Sequence, residues 1–263
     1  MGVLNITPDS FSDGGVYFEK NRAIEGAIQM VEDGADIIDV GGESTRPGAK
    51  EVTADEEISR VIPVIEAIAQ HINVPISVDT YKAQVAHEAL SSGASMVNDI
   101  SGLRFDKDMP KTIAEAHGAV CIMHILGTPQ NMQNNPHYDD LFAEIGNYLN
   151  EGINIALSAG ISEASIVIDP GLGFGKTINH NLQILRGLHR FKQLGKLLLI
   201  GTSRKSFIGH ILGGRSVDKR LMGTAATVAI SILNGASIVR VHDVKEIADV
   251  VRVSDAIVRI PNA

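Results

Sequence analysis

Eight short apolar runs recur along the chain and constrain its fold more than any other feature. They are VLNI at 3–6, DIIDV at 36–40, PISVD at 75–79, SMVND at 95–99, AVCIMH at 119–124, SIVID at 165–169, LLLIGTS at 197–203 and SIVRVHD at 237–243. Each is continuous rather than alternating, the pattern of a parallel strand covered on both faces. Segments of helical period lie between them. Ala23, Ile24, Ala27, Met30 and Val31 make one stripe, and Ile58, Val61, Ile62, Ile65 and Ile68 another. Thr53 and Glu56 have capping-box spacing, and Gly-Ala pairs at 34–35, 93–94 and 235–236 stand where a helix C-cap precedes a strand. No linker or low-complexity tract divides the 263 residues. The expectation is one (β/α)8 TIM barrel over 1–263, with its active site at the C-terminal face of the strands. A doubly wound sheet is the weaker alternative, because no GxGxxG follows the first run.

Composition removes whole classes of function. A net charge of −8 opposes binding to nucleic acid or an anionic membrane. With no Trp and 4% aromatic residues, base-stacking platforms are not expected either. No run is long enough to span a membrane, and the N-terminus lacks a signal-peptide pattern. The single cysteine, Cys121, excludes an intrachain disulfide and reads as a buried thiol in a reducing, cytoplasmic setting. An anionic substrate would need a local basic cluster.

Asn5, Asp39, Asp79, Asn98, Asp99, His124, Asp169, Ser203, Arg240 and His242 stand at strand ends, where a barrel gathers its catalytic groups. One Asp after a strand is more often a helix cap; so many at the same end of different strands reverse that preference. Asp79, Asn98, Asp99 and Asp169 are expected to converge. A metal cage is one reading, but the His/Cys/Glu spacings of transition-metal sites are absent. The other is a flat heterocycle, whose amino-pyrimidone edge donates to carboxylates while Asn serves another edge. GTSRKSFIG at 201–209 and RVH at 240–242 supply the basic cluster, at the strand ends where barrels commonly hold phosphate. GGESTRPGA at 41–49 offers a second anion site through Thr45 and Arg46. Helix 224–234, small and apolar nearly all round, is expected to lie in a homodimer interface. The polar segment 125–138 is either functional or disordered.

Taken in order, NITPDSFSDGG, DVGGESTRPGA, SVDTYKAQVA, NDISG, MHILGTPQNMQ, DPGLGFGK, GTSRKSFIG and RVHDV resemble the dihydropteroate synthase family from Gly2 to about Asp243. The resemblance implies condensation of (7,8-dihydropterin-6-yl)methyl diphosphate with 4-aminobenzoate, Mg2+ on the diphosphate, a (β/α)8 homodimer, and inhibition by sulfonamides. By motif position, Asp79, Asn98, Asp169 and Lys205 would hold the pterin. Asn5, Thr45, Arg240 and His242 would hold the diphosphate, Asn5 also contacting the metal. Thr45, Arg46, Pro47, Phe174, Lys205 and Ser206 would shape the aminobenzoate pocket. Asp13 would face the reacting carbon from a loop at 7–15 that folds over the site, and Asp79, Asp169 and Lys205 join it as catalytic candidates. Family members usually carry a further N-terminal segment, so a less covered barrel floor is expected here. A pterin-dependent methyltransferase would share the pterin residues but needs neither GGESTRPGA nor GTSRKSFIG. A noncatalytic pterin carrier would be expected to lack Asn5, Asp13 or Arg46.

Overall fold

The computed structural model describes residues 1–6, 16–46 and 48–258, the side chains of 16–20 excepted. All eight apolar runs become strands: β1 (Gly2–Asn5), β2 (Ile38–Gly41), β3 (Ile76–Asp79), β4 (Met96–Asp99), β5 (Ala119–Met123), β6 (Ile166–Asp169), β7 (Leu197–Ile200) and β8 (Ile238–Val239). Every neighbouring pair is parallel and the spatial order follows the chain. The sheet closes on itself. Val3 N–H donates to the Val241 carbonyl at 2.9 Å, and Val241 N–H donates to that of Met1 at 3.0 Å. The expected (β/α)8 barrel is therefore present.

Among the described residues, helices α1 (Val16–Glu32), α2 (Ala54–Ile68), α3 (Ala83–Ser91), α4 (Met109–Glu115), α5 (Leu141–Ala159), α6 (Ile178–Arg186), α7 (Ser206–Ile211), α8 (Leu221–Leu233) and α9 (Val244–Val258) form the outer layer. Their starts and stops follow local chemistry. Thr53 accepts the Glu56 N–H at 3.2 Å, but only half of the expected capping box forms, since the Glu56 carboxylate pairs with Arg60. The Gly-Ala pairs behave as expected, with φ of 105°, 117° and 100° at Gly34, Gly93 and Gly235. Ala23, Ala27, Val61, Ile65 and Ile68 are buried between strands and helices in the main core.

A separate apolar cluster of Met1, Met96, Cys121, Val167 and Leu199, with Ile238 against it, fills the floor of the barrel. Cys121 is a free, buried thiol, as expected. The segment 125–138 is folded onto the barrel, with Met132 and Tyr138 buried. Helix α8 packs inward through Val228 and Ile232 and exposes Met222, Ile230 and Leu233; α9 exposes Val253, Ile257 and Val258 beside it. Among the described residues, no helix is long and apolar enough to cross a membrane.

Candidate active site

Successive side chains of a strand point to opposite faces, so residues two apart share one. Met96, Val167 and Ile238 belong to the barrel floor. Two positions further along the same strands stand Asn98, Asp169 and Arg240, which rise above that floor into the mouth. Asp39 and Asp79 join them from β2 and β3. Arg240 donates from Nε to Oδ2 of Asp39 at 2.5 Å and from Nη2 to Oδ2 of Asp79 at 2.6 Å. Asn98 Nδ2 donates to the same Asp39 oxygen at 3.2 Å. Gly41 borders both Asn5 and Asp79: a Cβ there would lie 3.5 Å from Asp79 Cβ and 3.7 Å from Asn5 Oδ1 and Asp79 Oδ2.

The same parity corrects two expectations. Asp99 does not converge with the others. It follows Asn98 and therefore faces outward, where Oδ1 accepts the Ser101 N–H at 2.7 Å and Oδ2 that of Leu103 at 3.0 Å. His124 follows Met123 and likewise turns out of the mouth, packing edge-on against Tyr148 of α5 at 4.7 Å between ring centroids.

Burial dominates the electrostatics of the mouth. It pushes Asp79 up to about 7 against the opposing pull of Arg240. Burial also raises Asp169 to about 6, although the Gly171 N–H (2.7 Å from Oδ1), Lys205 and Lys176 favour its charge. Lys205 falls to about 8 for the same reason, with Asp169 opposing. Burial opposes the Arg240 charge too, yet Asp39 and Asp79 hold its pKa above the ordinary value. Carboxylates poised near neutrality beside a lysine and an arginine suit a ring that offers N–H donors and acquires positive charge.

The basic wall is assembled from β7 and β8. Lys205 Nζ lies 4.5 Å from the centroid of the Phe174 ring. Ser206 opens α7, and His242 meets the Ser203 hydroxyl through Nδ1 at 2.9 Å. Burial, then Arg240, holds His242 down to about 4. Arg204 departs from the expected cluster, because its guanidinium pairs with Asp243. Thr45 is half-buried and Arg46 exposed on the loop after β2. Asp13 and Pro47 lie outside the described residues.

The sequence understated one functional candidate, Asp39, and missed another, Lys176. Asp39 was one strand-end carboxylate among several, yet it is fully buried, and among the described residues its Oδ1 has no hydrogen-bond partner. Lys176 was only the last letter of DPGLGFGK. It is 3% exposed and bonded to His124 and to the Phe174 carbonyl. Its only sequence signal was a lysine ending a glycine-rich run.

Residues 1–242 match the family of pterin binding enzymes. A dihydropteroate synthase of Synechocystis sp. is 48% identical over 259 residues, covering 98% of this chain and 90% of the relative. The crystal structure of the Clostridium difficile dihydropteroate synthase in the presence of pteroic acid is 50% identical, superimposes with a TM-score of 0.93, and covers 98% of this chain and 96% of that one. That of the Yersinia pestis dihydropteroate synthase with a sulfonamide drug is 43% identical, with a TM-score of 0.92 and coverage of 97% and 92%. A closed eight-stranded barrel whose mouth gathers Asp79, Asn98, Asp169 and Lys205, matched over nearly its whole length by these enzymes, places the chain in the pterin-binding enzyme family as a dihydropteroate synthase.

Proposed function

We propose that this mouth joins (7,8-dihydropterin-6-yl)methyl diphosphate to 4-aminobenzoate by letting diphosphate leave before the amine attacks. The observation that carries the reading is the convergence of half-buried Asp79 and buried Asn98 and Asp169 with Lys205 and Arg240 above one apolar floor. Asp79 and Asp169 accept hydrogen bonds from the amino-pyrimidone edge, Asn98 serves a second edge, and Lys205 lies along the ring. As the carbon–oxygen bond breaks, positive charge spreads into the pterin, and these carboxylates stabilise it in a site of low dielectric. The departing oxygens are met by Asn5, Thr45, Arg240 and His242. The aminobenzoate nitrogen then bonds the methylene carbon and loses a proton. Its ring lies between Phe174 and Lys205, Thr45, Arg46 and Pro47 close over it, and Ser206 at the start of α7 meets the carboxylate. Asp13 would approach the reacting carbon and help exclude water.

The donor set suits Mg2+, which prefers hard oxygens and keeps substrate and water ligands. Asn5 offers a carboxamide oxygen beside Gly41 and Asp79, and diphosphate would supply further oxygens. Bound there, Mg2+ would neutralise charge on the leaving group. Sulfonamides, carrying an arylamine, would occupy the aminobenzoate site. The apolar residues exposed on α8 and α9 support a homodimer joined through these helices, and a free buried thiol supports a cytoplasmic location.

Diphosphate release tests the reaction. Purified protein with Mg2+ should release diphosphate only when both organic substrates are present, with a stoichiometric gain of dihydropteroate. Diphosphate release that does not depend on aminobenzoate and yields no dihydropteroate, or no release with both substrates present, would refute the synthase reading.

A further inference from the structure

The loop between β6 and α6 presents Phe174 to the mouth, yet its glycines give it little intrinsic stiffness. Gly171, Gly173 and Gly175 adopt φ of 68°, 83° and 65°, and glycine loses more conformational freedom on ordering than any other residue. The loop is nevertheless pinned at three consecutive carbonyls. Gln133 Nε2 donates to Gly173 O at 2.5 Å, Lys176 Nζ to Phe174 O at 3.0 Å, and the Tyr138 hydroxyl to Gly175 O at 2.8 Å. Asn181 accepts the Gly173 N–H at 2.7 Å. The central clamp is the costliest. Lys176 is buried, and a well-packed apolar side chain of its volume would normally be as stable or more so. Its amine reaches under the loop to His124 Nδ1 at 2.9 Å. His124 is itself fixed, by its N–H on the Asp169 carbonyl at 2.9 Å and by its edge against Tyr148.

We propose that Lys176, seated on His124, is a positioning residue that presets Phe174 for the arylamine substrate. The inference rests on the reading of Phe174 as a wall of the aminobenzoate pocket. Phe174 packs on Ile100, Met123, Ile125 and Met132, with Lys205 Nζ over its face. Shifting its carbonyl therefore moves the aryl slot while leaving Asp79 and Asn98, on β3 and β4, in place. The 125–138 segment takes part in the same clamp, since its Gln133 and Tyr138 hold the carbonyls on either side.

Steady-state kinetics on Lys176→Met, His124→Leu, His124→Gln, Phe174→Ala and the Lys176→Met/Phe174→Ala double variant provide the test, with pterin affinity measured by calorimetry. Losing a buried hydrogen bond of this kind should raise KM for aminobenzoate about tenfold. KM and affinity for the pterin substrate should stay within about twofold in the His124 variants and change less than KM for aminobenzoate in Lys176→Met, whose amine also faces Asp169. His124→Gln, which retains an acceptor for the amine, should recover most of the loss seen in His124→Leu. Lys176 acts through Phe174, so the double variant should be no worse than Phe174→Ala alone. If Lys176→Met does not fold, the His124 pair decides by the same criterion. Phe174→Ala raising KM for aminobenzoate while the folded Lys176 and His124 variants do not would overturn the inference and leave the pocket reading intact. An unchanged KM in Phe174→Ala would overturn both. Equal losses for both substrates, or additive losses in the double variant, would show a general structural role and overturn it as well.

Discussion

Nη2 of Arg240 lies 2.6 Å from Oδ2 of Asp79, joining β8 to β3 across the barrel mouth although the residues are 161 positions apart. The guanidinium also binds Asp39, so one cation serves a fully buried and a half-buried carboxylate. The ligand-free mouth therefore holds more negative charge than its own cations comfortably neutralise, a condition met better once a substrate offering N–H donors arrives.

That imbalance has a pH signature. Asp79 stands at about 7 and Asp169 at about 6, each above the ordinary carboxylate value of 3.8 because burial disfavours the charge. The folded chain thus binds these protons more readily than the unfolded chain. Their contribution to stability is fully present below about pH 4 and is lost as the pH climbs through about 6 to 7. Asp79→Asn should raise the ligand-free Tm at pH 8, with each kcal/mol appearing as roughly 2–4 °C, and should have little effect at pH 4.5. Pterin affinity should fall. A lower Tm at pH 8 would contradict the assignment.

Asp169→Asn isolates a single oxygen. The amide can keep its own Oδ1 on the Gly171 N–H, now 2.7 Å away, while presenting an NH2 where the second carboxylate oxygen stood. A lost charged hydrogen bond is worth about 1.5–3 kcal/mol. Calorimetry should show pterin binding weaker by at least about tenfold, with the circular dichroism spectrum unchanged.

Arg46 is exposed on the loop after β2. If that loop closes only over bound diphosphate, aminobenzoate and sulfonamides should bind the free enzyme very weakly, and bind well once pterin and diphosphate are present. Arg46→Ala should weaken aminobenzoate binding and spare pterin binding, and Asp13→Ala should chiefly lower kcat. Equal sulfonamide affinity with and without diphosphate would show a preformed pocket.

Lys82 anchors the root of the same loop. Its Nζ pairs with Glu43 and, at 2.5 Å, with Glu57, which is 1% exposed. Lys82→Met strands a buried carboxylate and should cost about 3–5 kcal/mol by urea denaturation. Glu57→Gln should cost much less, because burial already raises the Glu57 pKa against the pull of Lys82.

Sedimentation should give twice the 28.1 kDa chain mass. Leu233→Glu combined with Val253→Glu, on exposed positions of α8 and α9, should yield a folded monomer. A monomeric parent protein at micromolar concentration would rule out the interface.

The order of the eight strands, their parallel sense and the gathering of polar groups at one end were legible in the sequence, because each depends on local pattern repeated in order. Continuous apolar runs mark doubly covered strands, and glycines before them mark helix ends. The convergence of Asp79, Asn98 and Asp169 was legible for the same reason, although the pattern alone also drew in Asp99, and the family motifs added Lys205 and Phe174. Which neighbour of a pair enters the barrel was decided by strand parity measured against a floor that only the closed sheet creates. Asn98 and Asp99 look alike in sequence, yet one meets Asp39 and the other caps a turn. Arg240 is shared between partners 201 and 161 residues away, and Lys176 reaches a histidine 52 residues earlier. Such contacts arise from barrel closure and loop packing. Their energies depend on burial and distance, which no local pattern of residues encodes.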